Sequence, residues 1–183
     1  MFSELLTGIA RSLKEHDIPY MVMGGQAVLV HGEPRMTRDI DITLGVGIEG
    51  EAKVRELALD LGLRPLADEA FTAQTMVFPC AQDSTGIRVD FIYSWSLYER
   101  EAISRALAIP VLGVAVQFAS VEDLIIQKVV AGRGRDKEDV CSILAKNASC
   151  DLDTIRHWLG LFSESLSEPY LQRFELWLQD VQR

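Results

Sequence analysis

Residues 21–44 read MVMGGQAVLVHGEPRMTRDIDITL, and the fold turns on how this stretch is punctuated. Tyr20 to Met23 predicts a strand, which Gly24-Gly25 breaks; Gln26 to Val30 then reads as a short apolar helix running into a loop at Gly32 to Pro34. Asp39 to Leu44 alternates, with Asp39, Asp41 and Thr43 on one side and Ile40, Ile42 and Leu44 on the other. A second strand is therefore expected, carrying both carboxylates on one face. The unit is strand, glycine turn, helix, strand.

Upstream, Leu5, Leu6, Ile9 and Leu13 recur at helical spacing, so residues 3–16 predict an amphipathic helix ending near Asp17 and Pro19. Downstream, Glu51 to Leu61 predicts a helix, and Met76 to Phe78 a strand bounded by Pro79. Ile87 to Tyr93 is its expected antiparallel partner, reached through the turn residues Asp83 to Gly86. Alternation in that partner puts Arg88, Asp90 and Ile92 on one face against Val89 and Phe91. Leu97 to Leu107 predicts a helix and Val114 to Phe118 an edge strand. From Ser120, an N-cap with an acidic first turn, nearly everything reads as helix: Val121 to Ala131, Lys137 to Lys146, Leu152 to Phe162 and Pro169 to Val181. The expected architecture is an α/β core with a mixed, partly antiparallel sheet over residues 1–119, plus a C-terminal helical subdomain over residues 120–183.

The chain has 183 residues, 48% of them hydrophobic, enough for a buried core. A formal charge of −9 and a pI near 4.8 argue against a protein that coats nucleic acid non-specifically, since that needs many Lys and Arg facing phosphates. Cys80, Cys141 and Cys150 are odd in number and lack C-x-x-C spacing, so neither a disulfide framework nor a zinc site is suggested. With no apolar run of membrane-spanning length and no signal-like start, a cytoplasmic protein without membrane contact is expected.

Two Asp at i and i+2 on one strand project the same way, and a third from a neighbouring strand completes a cluster of hard oxygen ligands. Such a cluster can hold two Mg²⁺ ions about 3.5–4 Å apart. Asp39, Asp41 and Asp90 fit that plan, with Asp83 in the preceding turn as the poorer third candidate. Gly24-Gly25 at a helix start lets backbone N–H groups approach a triphosphate with no side chain in the way.

Hydrophobic residue, Gly-Gly, short helix, then Asp-hydrophobic-Asp-hydrophobic resembles the DNA polymerase β-type nucleotidyltransferase superfamily. Gly24-Gly25-Gln26-Ala27 with His31-Gly32, Arg35, Thr37 and Asp39-Ile40-Asp41, followed by Lys128, Arg135-Asp136-Lys137 and Asp139, is similar to a bacterial branch. That branch includes abortive-infection-type nucleotidyltransferase toxins and aminoglycoside nucleotidyltransferases. The resemblance implies transfer of a nucleoside monophosphate from an NTP such as ATP to a hydroxyl acceptor, releasing pyrophosphate, with two Mg²⁺ ions or Mn²⁺ in their place. It implies that Gly24 and Gly25 flank the triphosphate, that Asp39 and Asp41 bind both metals, and that Asp90 binds the catalytic metal and activates the acceptor. Many members carry Ser as the second residue of the glycine pair, whose hydroxyl contacts phosphate, and Gly25 lacks it.

Several residues carry two readings. Arg35 and Arg38 either neutralise phosphate through bidentate hydrogen bonds or pair with the carboxylates. Lys128 either reaches the triphosphate or ends a solvated helix. Asp136 and Asp139 either orient Lys128 or Arg135, or are ordinary first-turn acids. Trp95 either packs the core or, like Tyr93 beyond Asp90, stacks an acceptor base or ring. The acceptor itself stays open among a small molecule, a tRNA and a protein. The alternative function is a non-catalytic nucleotide-binding module of a toxin–antitoxin pair, with an antitoxin protein as partner.

Overall fold

A computed structural model describes residues 2–181. Nine α-helices and seven strands are formed among them: α1 (Phe2–Glu15), β1 (Tyr20–Val22), α2 (Gly24–His31), β2 (Asp39–Leu44), α3 (Glu51–Asp60), β3 (Arg64–Pro65), α4 (Glu69–Thr75), β4 (Val77–Gln82), β5 (Ile87–Tyr93), α5 (Leu97–Ser104), β6 (Leu107–Val111), β7 (Val114–Phe118), α6 (Val121–Ala131), α7 (Asp136–Lys146), α8 (Leu152–Leu166) and α9 (Tyr170–Val181). Contacts divide the chain into one unit of residues 1–26 and 36–119 and another of residues 27–35 and 120–183. No helix among the described residues is long and apolar enough to cross a membrane.

The first unit holds a seven-stranded mixed sheet in the order β3-β4-β5-β2-β1-β7-β6. β2 pairs in parallel with β5 and antiparallel with β1, while β1 pairs in parallel with β7. Alternation fixes which face is buried: Ile40, Ile42 and Leu44 of β2 and Val89, Phe91 and Tyr93 of β5 are all fully buried. The opposite face of the same two strands carries Asp39, Asp41, Arg88 and Asp90. Phe78 of β4 stacks on Phe91 with ring centroids 6.2 Å apart, and the Arg55 guanidinium of α3 lies 4.4 Å over the Phe78 ring. α1 packs on β7 through the stripe of Leu5, Leu6, Ile9 and Leu13 that its periodicity announces.

Three expectations are corrected. The strand expected to stop at Pro79 continues to Gln82, because the Pro79 carbonyl accepts from Leu66 N–H on the side of short β3. The missing N–H of Pro79 therefore faces the sparsely paired side, and the ladder to β5 loses nothing. The helix expected to reach Leu107 ends at Ser104, and Leu107–Val111 becomes β6, hairpinned to β7 through Leu112-Gly113. β6 thus takes the edge, and Val114–Phe118 lies inside the sheet between β1 and β6. α4 and β3 lie in a stretch that gave no periodic signal.

The second unit is helical. α6 contributes Leu124, Ile125, Ile126 and Val129 to its core, α7 Val140 and Ile143, α8 Ile155 and Leu159, and α9 Phe174 and Leu178. Ser120 caps α6 by accepting from Asp123 N–H, and Gly132 closes it at φ +57°.

Phe91 anchors the buried side of the β2–β5 pair. Phe91→Ala is expected to destabilise the protein by about 3–5 kcal/mol, measured as a loss of unfolding free energy in urea with the slope unchanged.

Candidate functional site

Parallel pairing sets Asp41 directly beside Asp90, and Asp39 beside Arg88. Partners in a parallel ladder project to the same side, and strands lie about 4.8 Å apart. Three carboxylates and one guanidinium therefore share a patch two strands wide. Asp90 is largely covered, with its side chain 17% exposed, and accepts a hydrogen bond from Arg88 Nε at 2.8 Å. The Arg88 pKa is raised, chiefly by that hydrogen bond and also by the charges of Asp90, Asp39 and Asp41. One cation thus senses all three carboxylates.

The glycine pair is built against this patch, and its two members are glycine for different reasons. Gly24 has φ +58°, and a Cβ there would collide with Asp41 Oδ2 and stand 2.8 Å from Asp41 Cγ. The Asp41 carboxylate lies, in consequence, against the first turn of α2. Met23 N–H donates to the Asp41 carbonyl at 2.8 Å and fixes the strand at the same point. Gly25 has no positive φ; a Cβ there would collide with Thr37 Oγ1 and stand 2.8 Å from Thr37 Cβ.

Asp39, Asp41 and Asp90 are hard oxygen donors on one face, as Mg²⁺ or Mn²⁺ requires. Among the described residues no three carboxylate, imidazole or thiol groups converge closely enough to cage a metal as they stand. Asp90 is turned to Arg88, so holding an ion with the other two carboxylates needs a rotation of its side chain. The donor set fits the metal on these terms.

Of the other predicted residues, Arg38 is exposed in the first unit, just ahead of Asp39. Arg35 and Lys128 belong to the second unit and meet through one carboxylate. Arg35 donates to Asp139 from Nε at 2.9 Å and from Nη2 at 3.1 Å. Lys128 Nζ donates to Asp136 at 2.8 Å and to Asp139 at 2.7 Å, with its side chain only 11% exposed. Asp136 also accepts from Arg133 N–H at 2.8 Å. Asp136 and Asp139 thus orient Lys128, one of the two roles their spacing allows. Asp83 is engaged by Arg64 in an exposed pair at 2.9 Å. Tyr93 is fully buried and offers no ring to an acceptor, while Trp95 is 70% exposed. Arg88 is the site residue that its motif did not flag; the available signal was its place two residues before Asp90 on the same face.

Residues 3–181 match the model of a family described as "Nucleotidyltransferase of unknown function (DUF6036)". No curated protein matches the sequence at a significant level. Among solved structures, the antibiotic-resistance factor ANT(2'')-Ia superposes with a TM-score of 0.66 at 17% identity, covering 90% of this chain and 92% of that one. An antigenic nucleotidyltransferase-like protein from Paracoccidioides brasiliensis gives 0.57 at 18% identity, covering 93% and 92%. The lincosamide antibiotic adenylyltransferase LnuA, in its lincomycin-bound form, gives 0.54 at 15% identity, covering 76% and 94%. These likenesses show a shared fold.

The near-complete burial of Lys128 between two carboxylates sets its energetic role. Lys128→Met removes the counter-charge from a buried pair and is expected to cost about 3–5 kcal/mol of stability. Chemical denaturation at neutral pH measures this, and a variant as stable as the parent would contradict it.

Proposed function

Since the chain belongs to the nucleotidyltransferase family that its residues 3–181 match, we propose that it transfers a nucleoside monophosphate from an NTP to an acceptor hydroxyl and releases pyrophosphate. The observation that carries this reading is the placement of Asp41 beside Asp90, with the Asp41 carboxylate held against Gly24 at the start of α2. Phosphate-binding backbone and metal-binding carboxylates are thereby adjacent.

In this reading the triphosphate lies on the first turn of α2, where Gly24 and Gly25 leave N–H groups open to an anion. Asp39, Asp41 and Asp90 would hold two Mg²⁺ ions, or Mn²⁺ in their place, which would offset the charge that opposes attack on a polyanion. Asp90 accepts the proton of the acceptor hydroxyl. The hydroxyl oxygen then bonds to the α-phosphorus, the bond from that phosphorus to the oxygen bridging to the β-phosphate breaks, and pyrophosphate leaves. Arg88, which donates to Asp90 at 2.8 Å, carries balancing charge beside it. Arg38, exposed beside Asp39, is available to phosphate oxygens.

The net charge of −9 favours a neutral or cationic acceptor over a polyanion such as tRNA. A small hydroxylated molecule is accordingly the acceptor class we infer. The name of the lincosamide adenylyltransferase gives a small antibiotic as the acceptor of that protein.

The test is incubation of α-labelled ATP, GTP, CTP and UTP with Mg²⁺ and a cell extract fractionated by size. Label is expected on a small acceptor, with pyrophosphate released. Asp41→Asn should lower transfer by about a hundredfold or more, while the melting midpoint of the metal-free protein stays level or rises, because one crowded carboxylate loses its charge. Full transfer by that variant would remove Asp41 from the site. Tight NTP binding with no pyrophosphate under any acceptor would favour the non-catalytic module of a toxin–antitoxin pair.

A further inference from the structure

We propose that the Thr37 hydroxyl is a phosphate-binding group of the nucleotide site, standing where a side chain on residue 25 would otherwise project. This rests on the nucleotide-binding reading of Gly24-Gly25 above. Nothing in the backbone at residue 25 calls for glycine, since its φ is not positive. The structure supplies a different cause: the space over the Gly25 Cα is filled by the side chain of Thr37. The rotamer matters, because the atom nearest that space is Oγ1 and the methyl Cγ2 lies farther off, at 3.5 Å. A hydroxyl, with its donor proton, is thus laid over the first turn of α2, one residue from where Asp41 touches Gly24.

The hydroxyl is also lightly engaged. Its hydrogen bond to the Asp39 carbonyl is 3.4 Å long, against about 2.7–2.8 Å for a well-made O–H···O bond. Turning the proton to a phosphate oxygen exchanges a stretched neutral contact for a charge-assisted one. Thr37 sits two residues ahead of Asp39, so the chain that delivers the carboxylates to the metal also delivers this donor to the phosphate. Residue 25 can then be glycine without loss of a hydroxyl at the site.

The experiment is isothermal titration of the full chain with Mg²⁺ and inorganic tripolyphosphate, which reports the phosphate site without regard to base or acceptor. Thr37→Val keeps the shape and removes the donor, and is expected to weaken binding about tenfold to a hundredfold. Thr37→Ser should retain the affinity. Gly25→Ser alone should lose it through collision with Thr37. Gly25→Ser combined with Thr37→Gly, which clears the Cβ standing 2.8 Å away, should regain most of it by presenting the hydroxyl from the other residue. A Thr37→Val variant with a lowered melting midpoint but unchanged affinity would overturn the role of Thr37 alone. A parent chain that binds no tripolyphosphate would overturn the phosphate site itself, and the role of Thr37 with it.

Discussion

The parallel pairing of β2 with β5, in the register that sets Asp41 beside Asp90, is the constraint on which the rest of this molecule depends. That register is enforced from the far side of the sheet. Ile40, Ile42 and Leu44 interlock with Val89, Phe91 and Tyr93 in a fully buried layer. A slip of one residue would turn Arg88 and Asp90 into that layer, where unpaired charge is costly. The apolar face therefore decides the geometry of the charged one, and the core is as much a part of the site as the carboxylates are.

Two charge clusters in the chain contrast in a way that separates their roles. In the second unit, Lys128 and Arg35 face Asp136 and Asp139, two charges of each sign held at 2.7–3.1 Å. That cluster is balanced internally, and removing a member leaves a buried charge exposed to low dielectric. In the first unit, Asp39, Asp41 and Asp90 share one strand face with Arg88, whose pKa is raised by all three. In the proposed reading a divalent cation would bind at those three carboxylates, whereas the second cluster already supplies its own cations.

Much of this was legible because period-2 alternation and glycine placement act locally. Asp39, Asp41 and Asp90 were readable from strand periodicity, and the Gly24-Gly25 break from conformational freedom. What the sequence left out were relations between distant residues. That Asp41 falls beside Asp90 shows only once β2 and β5 align, and that Thr37 fills the space over Gly25 depends on the path of residues 32–38 between α2 and β2. β6 was missed because Leu107–Val111 carries Pro110 and no alternation, and its strand character comes from the hairpin with β7. α4 lies in a mixed stretch where an Asp68 cap, accepting from Phe71 N–H, does more than periodicity.

The central claim is that Asp39, Asp41 and Asp90 form a divalent-metal site assembled around the nucleotide. Titration with Mn²⁺ followed by electron paramagnetic resonance, in the presence of a non-hydrolysable NTP analogue, tests it most directly. The account predicts about two ions bound per chain, lost in Asp39→Asn and Asp41→Asn with the fold intact by circular dichroism. Binding of Mn²⁺ and analogue that is unchanged in both variants would contradict it.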